Sequence, residues 1–137
     1  MNLLARREHT RAELSTKLAA RKYSPEEIEA TVTALVAEGL LSDERFAEAF
    51  VAAKMRVGQG PVRIRMELKK RGVDTEIIQS HLENSEIEWC SLVKKVRSKK
   101  FGEDLPVEFK EKARQMRFLE YRGFTGEQIR VALDGNL

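Results

Sequence analysis

Leu68-Lys69-Lys70-Arg71-Gly72-Val73-Asp74-Thr75-Glu76-Ile77-Ile78 is a stretch whose pattern this chain repeats around Leu18 and around Leu119. Three positions after each leucine stands an arginine: Arg21, Arg71 and Arg122. Lys22, Gly72 and Gly123 come next, followed by the apolar Tyr23, Val73 and Phe124. Ser24, Asp74 and Thr125 follow, all residue types that favour a helix N-cap. Further on, each copy places Ile28, Ile78 or Ile129, then Val32, Leu82 or Leu133 one helical turn later. The copies align without a gap, and such self-similarity is the mark of a repeat architecture.

The pattern reads as helix, corner, helix. The leucine closes an amphipathic helix, and the glycine at C′ ends it because glycine takes the left-handed conformation without a Cβ penalty. The next apolar residue plugs the corner. The capping residue then opens a second helix, whose apolar positions at spacing four face back onto the first. Thr10 with Glu13, Ser24 with Glu27 and Thr125 with Gln128 have capping-box spacing, and Pro25 sits where a first helical turn tolerates it. Lys22 stands where the other two copies have glycine, so the first corner must cost more or turn differently.

A third helix separates these pairs. Ser42 caps a run from Asp43 to Val51 with Phe46, Ala49, Phe50 and Ala53 on one face, ending before Gly58-Gln59-Gly60-Pro61. Ile87 to Phe101 is the equivalent helix after the second pair, and the last pair opens with a helix from about Pro106 to Arg122. The opening of the first repeat is shortened to a helical turn or two before Thr10. The expected fold is all-α: an elongated array of three tandem three-helix repeats, each helix-turn-helix-like, with boundaries at 1–57, 58–103 and 104–137.

Composition fits a soluble chain of 137 residues, 42% hydrophobic and 34% charged. No stretch approaches the roughly 18 apolar residues of a membrane span, and the N-terminus lacks a signal-peptide core. The single Cys90 cannot form an internal disulfide, which makes a reducing cytoplasm the expected location. The net charge of +3 is unevenly spread: residues 1–55 hold 8 Lys/Arg against 9 Asp/Glu, and the rest carries the excess. Arg56, Arg63, Arg65, Lys69, Lys70 and Arg71 face Glu67 alone within 56–71, and Lys94, Lys95, Arg97, Lys99 and Lys100 face no acid within 92–102. Such asymmetry fits an anionic partner, either nucleic acid or an acidic protein face; solvated helix faces are the plainer explanation.

Catalysis finds no foothold. There is no phosphate-binding glycine loop, nucleophile elbow or metal-ligand spacing. His9 precedes a cap and His81 lies on a short helix, both as surface or packing residues; Cys90 beside Trp89 reads as a small buried hydrophobe. No cofactor and no enzymatic activity are expected.

Ser42-Asp43-Glu44-Arg45-Phe46-Ala47 resembles the acidic-x-Arg-Phe-Ala motif of the RecX family of recombination regulators. Gly58-x-Gly60-Pro61-x-Arg63-Ile64-x-x-Glu67-Leu68-x-x-Arg71-Gly72-Val73 is similar to that family's second hallmark. Arg117-Phe118-Leu119-x-x-Arg122-Gly123-Phe124 is a third match, and Glu88-Trp89-Cys90 with Lys100-Phe101-Gly102-Glu103 resembles proteobacterial members. The likeness covers nearly the whole chain and departs from it at the N-terminus, where many members carry an additional segment. It implies a protein that binds the RecA recombinase and its filament on single-stranded DNA, lying in the filament groove. It further implies inhibition of ATP hydrolysis, strand exchange and co-protease activity, and so modulation of recombination and the SOS response.

Among the motif residues, Asp43, Arg45, Phe46, Ala47, Gly60, Ile64, Leu68, Gly72, Leu119 and Gly123 read as structural, with Arg45 also open to a partner. Glu67 is either solvated or paired with Arg71 at spacing four. The candidate partner contacts are Arg63, Arg65, Lys69, Lys70, Lys94, Lys95, Lys99 and Lys100, each also readable as a solvated cation. The expected partner is the RecA filament, with weak single-stranded DNA contact, no membrane and a monomeric state. Two alternatives stand beside it: a direct nucleic-acid binder and a structural helical adaptor. The second helix of the middle pair, Thr75 to Glu83, has no Lys or Arg, which argues against base readout.

Overall fold

The computed structural model describes residues 8–134. Its eight helices are α1 (Arg11–Ala20), α2 (Pro25–Ala37), α3 (Asp43–Arg56), α4 (Pro61–Lys70), α5 (Thr75–Leu82), α6 (Trp89–Phe101), α7 (Phe109–Tyr121) and α8 (Gly126–Asp134). No strand occurs among the described residues. The expected turn or two of helix before Thr10 lies almost wholly outside them. No helix among them is long and apolar enough to cross a membrane.

The three corners share one hydrogen-bond pattern. In each, the apolar residue's N–H reaches back to the carbonyl of the anchor leucine, Tyr23 to Leu18, Val73 to Leu68 and Phe124 to Leu119, all at 3.2 Å. The residue before it donates to the carbonyl just past that leucine: Lys22 to Ala19, Gly72 to Lys69 and Gly123 to Glu120. This paired closure is the Schellman motif, which requires a left-handed residue at C′. The φ values there are +71° at Lys22, +84° at Gly72 and +97° at Gly123. The first corner therefore turns like the others and accepts the strain of a non-glycine residue. Capping boxes form at Thr10–Glu13 and Ser24–Glu27, and Thr125 and Gln128 exchange the same pair of bonds.

Two helices begin later than the periodicity predicts. α6 starts at Trp89 rather than Ile87, and α7 at Phe109 rather than Pro106. Before α7, the carbonyls of Gly102, Glu103 and Asp104 are taken by the Arg97 guanidinium. That leaves a looped connector, and Glu108 enters the helix from an extended conformation.

The chain forms two compact units, one from Met1–Phe50 with Glu67–His81, the other from Val51–Met66 with Leu82–Leu137. In the first, Leu14, Val32 and Leu41 are buried together, with Leu18, Ile28 and Leu35 packed around them. The N-terminus of α1 sits on the α4–α5 corner: the Thr10 hydroxyl donates to the Arg71 carbonyl at 2.6 Å. The Arg71 guanidinium pairs with Glu13 at 2.9 Å and lies over the rings of Phe46 and Phe50. Asp43 accepts from the Arg11 N–H at 2.8 Å, so it caps α1 while occupying the first turn of α3.

In the second unit, Val93, Leu119, Phe124, Ile129, Ala132 and Leu133 form the core, flanked by Trp89, Leu92, Val96 and Phe118. Burying each large side chain of this kind stabilises the fold by about 1.5–3 kcal/mol. Here the N-terminus of α4 sits on the α7–α8 corner: Gly60 N–H donates to the Arg122 carbonyl and Val62 N–H to that of Gly123, both at 2.8 Å. A Cβ at Gly60 would lie 2.5 Å from the Gly123 oxygen, so only glycine permits this approach. Counted from the anchor leucines, Thr10 and Gly60 are equivalent positions, as are Arg71 and Arg122. Each unit thus contains the same joint.

Candidate partner-binding surface

The basic segment 92–102 does not act as one face. In α6 the positions Trp89, Leu92, Val93 and Val96 turn to the core. Arg97 follows them inward and is only 3% exposed. Besides the three connector carbonyls, its guanidinium binds Gln115 Oε1 at 3.2 Å. Gln115 in turn donates to Glu111, whose carboxyl is held below the usual carboxylate range chiefly by its bond to Arg114, then by that to Gln115. Arg97 is a structural cation, satisfied by carbonyls, and does not contribute to the exposed charge.

Of the remaining lysines, Lys95, Lys99 and Lys100 converge on one cleft of about 420 Å³, whereas exposed Lys94 does not line it. Lys95 and Lys99 share a helix face because they are four residues apart. The opposite wall comes from the end of α3 and the turn after it, where Arg56, Val57 and Gly58 stand, and from Arg122 at the end of α7. Met55, Leu92, Val96 and Phe118 complete the lining, and no acid takes part in it. Gly58 has φ +84°, and a Cβ there would press on Val96 and on the Arg122 guanidinium. Arg122 donates to the Val57 carbonyl at 2.7 Å and lies 5.2 Å over the Phe118 ring. Lys100 lies 5.5 Å from the same ring, and Phe101 meets it edge-on at 5.3 Å.

The other candidates stand elsewhere. Arg63 lies 5.1 Å over the exposed Tyr121 ring and donates to the Tyr121 carbonyl at 3.3 Å. Arg65 is half-buried, and Lys69 and Lys70 are exposed, Lys70 beside a smaller cleft of about 280 Å³ whose Glu13 and Arg71 are already paired. Arg45 binds Glu8 at 3.1 Å and the Gly39 carbonyl at 3.1 Å, beside the buried Phe46 and Ala47. Arg56 and Arg122, absent from the candidate set drawn from sequence, belong to the charged cleft. The signal for Arg56 was its place in the first basic segment, but nothing in sequence shows which way it points.

The histidines are engaged: buried His9 meets the Lys17 ammonium at 2.9 Å, and His81 pairs with Glu44 at 2.8 Å. Cys90, expected to be buried, is exposed. It lies in the first turn of α6 and lines a depression of about 510 Å³ with Glu88 and Glu127. Those two acids give that depression the wrong sign for an anionic partner.

Family models match along the chain in order: the RecX first three-helix domain at residues 1–35, the second at 42–82 and the third at 86–133. The second and third begin one helix earlier than the boundaries at 58 and 104 suggested by the recurring corner. The regulatory protein RecX of Halorhodospira halophila is 47% identical over 132 residues, 96% of this chain and 82% of that protein. That of Pseudomonas syringae pv. tomato is 46% identical over 135 residues, 98% of this chain and 87% of the relative. The crystal structure of RecX from Lactobacillus salivarius superposes with a TM-score of 0.82 at 20% identity, covering 96% of this chain and 88% of that one. A second crystal structure, of a regulatory protein RecX, gives 0.79 at 20% identity, over 96% and 66%. Three domain models in order and relatives matched over nearly the whole chain place this protein in the RecX family.

Proposed function

We propose that this chain binds the RecA recombinase filament on single-stranded DNA and inhibits its ATP hydrolysis, strand exchange and co-protease activities, working by contact and not by catalysis. The relatives bear the name of regulatory proteins. The observation that carries the reading is the cleft in which Arg56, Lys95, Lys99, Lys100 and Arg122 meet with no acid among its lining residues. A concentration of one sign attracts and orients an anionic partner surface. Catalytic roles for His9 and His81 have little support, since each ring is already bonded to a neighbour. The working form is a monomer in the cytoplasm, where the recombinase acts, and Arg63, Arg65, Lys69, Lys70 and Lys94 supply further contacts.

Direct DNA binding is the competing outcome. The second helices of the corners are poor readers of bases: α2 and α5 carry no Lys or Arg, and α8 carries Arg130 alone. Fluorescence anisotropy on labelled single-stranded DNA, with and without recombinase and a nucleotide analogue, separates the two. Bare DNA is expected to bind at about micromolar Kd or weaker, and the filament at least about a hundredfold more tightly. Equal affinity for both, with a steep salt dependence on bare DNA, overturns the filament reading.

A further inference from the structure

We infer that the cleft between α6, α7 and the end of α3 docks an acidic peptide segment whose apolar side chains enter it. The inference rests on the reading of this chain as a binder of another protein, and it states which chemistry of that partner the cleft takes.

The lining is of two kinds. Met55, Val57, Leu92, Val96 and Phe118 give apolar surface, with Val57 59% exposed. Arg56, Lys95, Lys99, Lys100 and Arg122 give positive charge. Lysine and arginine stems lie along apolar surface while their heads stay in water, so a cationic edge and an apolar interior coexist. Its complement is a segment with apolar anchors flanked by carboxylates, the form of an amphipathic helix laid into a groove.

A nucleic-acid strand fits less well. Single strands are held largely by stacking of bases on open aromatic faces. Phe118 is the one aromatic residue in the lining, and Lys100 and Arg122 already lie over its ring, with Phe101 in T-shaped contact beside it. Base edges are read by amide, hydroxyl or bidentate arginine groups. Among the described residues the lining contains no Asn, Gln, Ser or Thr, and of its two arginines Arg122 is committed to the Val57 carbonyl, which leaves Arg56 alone for bidentate contact.

The test uses the full chain and three labelled probes: a Glu-rich peptide about four helical turns long with leucines at i, i+3, i+4 and i+7; the same peptide with serine for leucine; and an oligothymidylate of equal charge. The leucine peptide is expected to bind at least about tenfold more tightly than the other two. Lys95→Glu with Lys99→Glu should weaken it at least about tenfold, Val57→Ser several-fold, and Lys110→Glu, at an exposed lysine outside the cleft, less than about twofold. All four positions are exposed, so circular dichroism is expected to match the wild type. Equal binding of leucine and serine peptides, an equal effect of Lys110→Glu, or tighter binding of the oligonucleotide each overturns the proposal. Inhibition of recombinase ATP hydrolysis is measured in parallel. Peptide binding without inhibition removes the filament reading and leaves the cleft, whereas inhibition without peptide binding does the reverse.

Discussion

Gly72→Ala tests the corner and the joint together. At φ +84° an alanine meets the left-handed penalty of about 1–2 kcal/mol, offset in part by the lower entropy of the unfolded chain. Its Cβ would also overlap the Cβ of Ala12, so α1 must move back from the corner. That movement strains the 2.6 Å bond from Thr10 to the Arg71 carbonyl, and a bond of this kind contributes about 0.5–1.5 kcal/mol. Overpacking adds about 1–3 kcal/mol. The expected total is about 2–5 kcal/mol. Gly39 separates the contributions: its φ is +75°, but a Cβ there meets nothing within 4 Å. Gly39→Ala should therefore cost about 1 kcal/mol, the backbone part alone. Urea denaturation followed by circular dichroism measures both, and Ala12→Gly completes a double-mutant cycle with Gly72→Ala. A coupling energy of at least about 1 kcal/mol is expected, because removing the Ala12 methyl relieves the overlap. Equal costs at the two glycines, or an additive cycle, would refute the claim that α1 presses on this corner.

Two further substitutions probe the same structure by denaturation. Lys22→Gly should stabilise the protein by about 0.5–1 kcal/mol, since it removes left-handed strain at an exposed residue; an unchanged midpoint would show that the strain is relieved in another way. Arg97→Met should destabilise by about 2–4 kcal/mol, because it leaves the carbonyls of Gly102, Glu103 and Asp104 without their donor; a loss below about 0.5 kcal/mol would return Arg97 to the surface charges.

Corners and caps were legible in the sequence because each depends on a residue type with few substitutes. A C′ glycine, an apolar plug and an N-cap threonine announce themselves locally, and all three corners close as the spacing predicts. The helix start at Phe109 was less legible because the Arg97 side chain holds the connector before α7, and that at Trp89 because a turn from the Ile87 N–H to the Asn84 carbonyl precedes it. Charge was legible as an amount but not as a direction. Lys94 and Lys95 are neighbours in sequence, yet one lines the cleft and the other does not. Arg97 counts among the basic residues and is spent inside the protein. Cys90 was misjudged because its residue type favours burial, whereas it stands exposed in the first turn of α6 beside the inward Trp89. The cleft joins Arg56, Lys95 and Arg122, residues whose proximity no local pattern encodes.

The departures from the repeat carry as much physical content as the repeat itself. Glycine at 72 and 123 answers two demands, a left-handed backbone and the close approach of Ala12 or Arg63 to the corner. Position 22 answers only the first: Lys22 is exposed, and Tyr23 is 50% exposed where Val73 and Phe124 are 4% and 3%. With no helix end among the described residues pressing on it, the first corner tolerates a side chain at a cost of about 1 kcal/mol, which a marginally stable fold absorbs. The incoming helix ends diverge for a related reason. Thr10 reaches the Arg71 carbonyl through its hydroxyl, whereas Gly60 reaches the Arg122 carbonyl through its backbone N–H. The second route brings the backbones so close that a Cβ at 60 would strike the Gly123 carbonyl, and threonine cannot occupy that position. Equivalent positions thus keep the bond and change its donor, and the distance between backbones decides which residue the sequence carries.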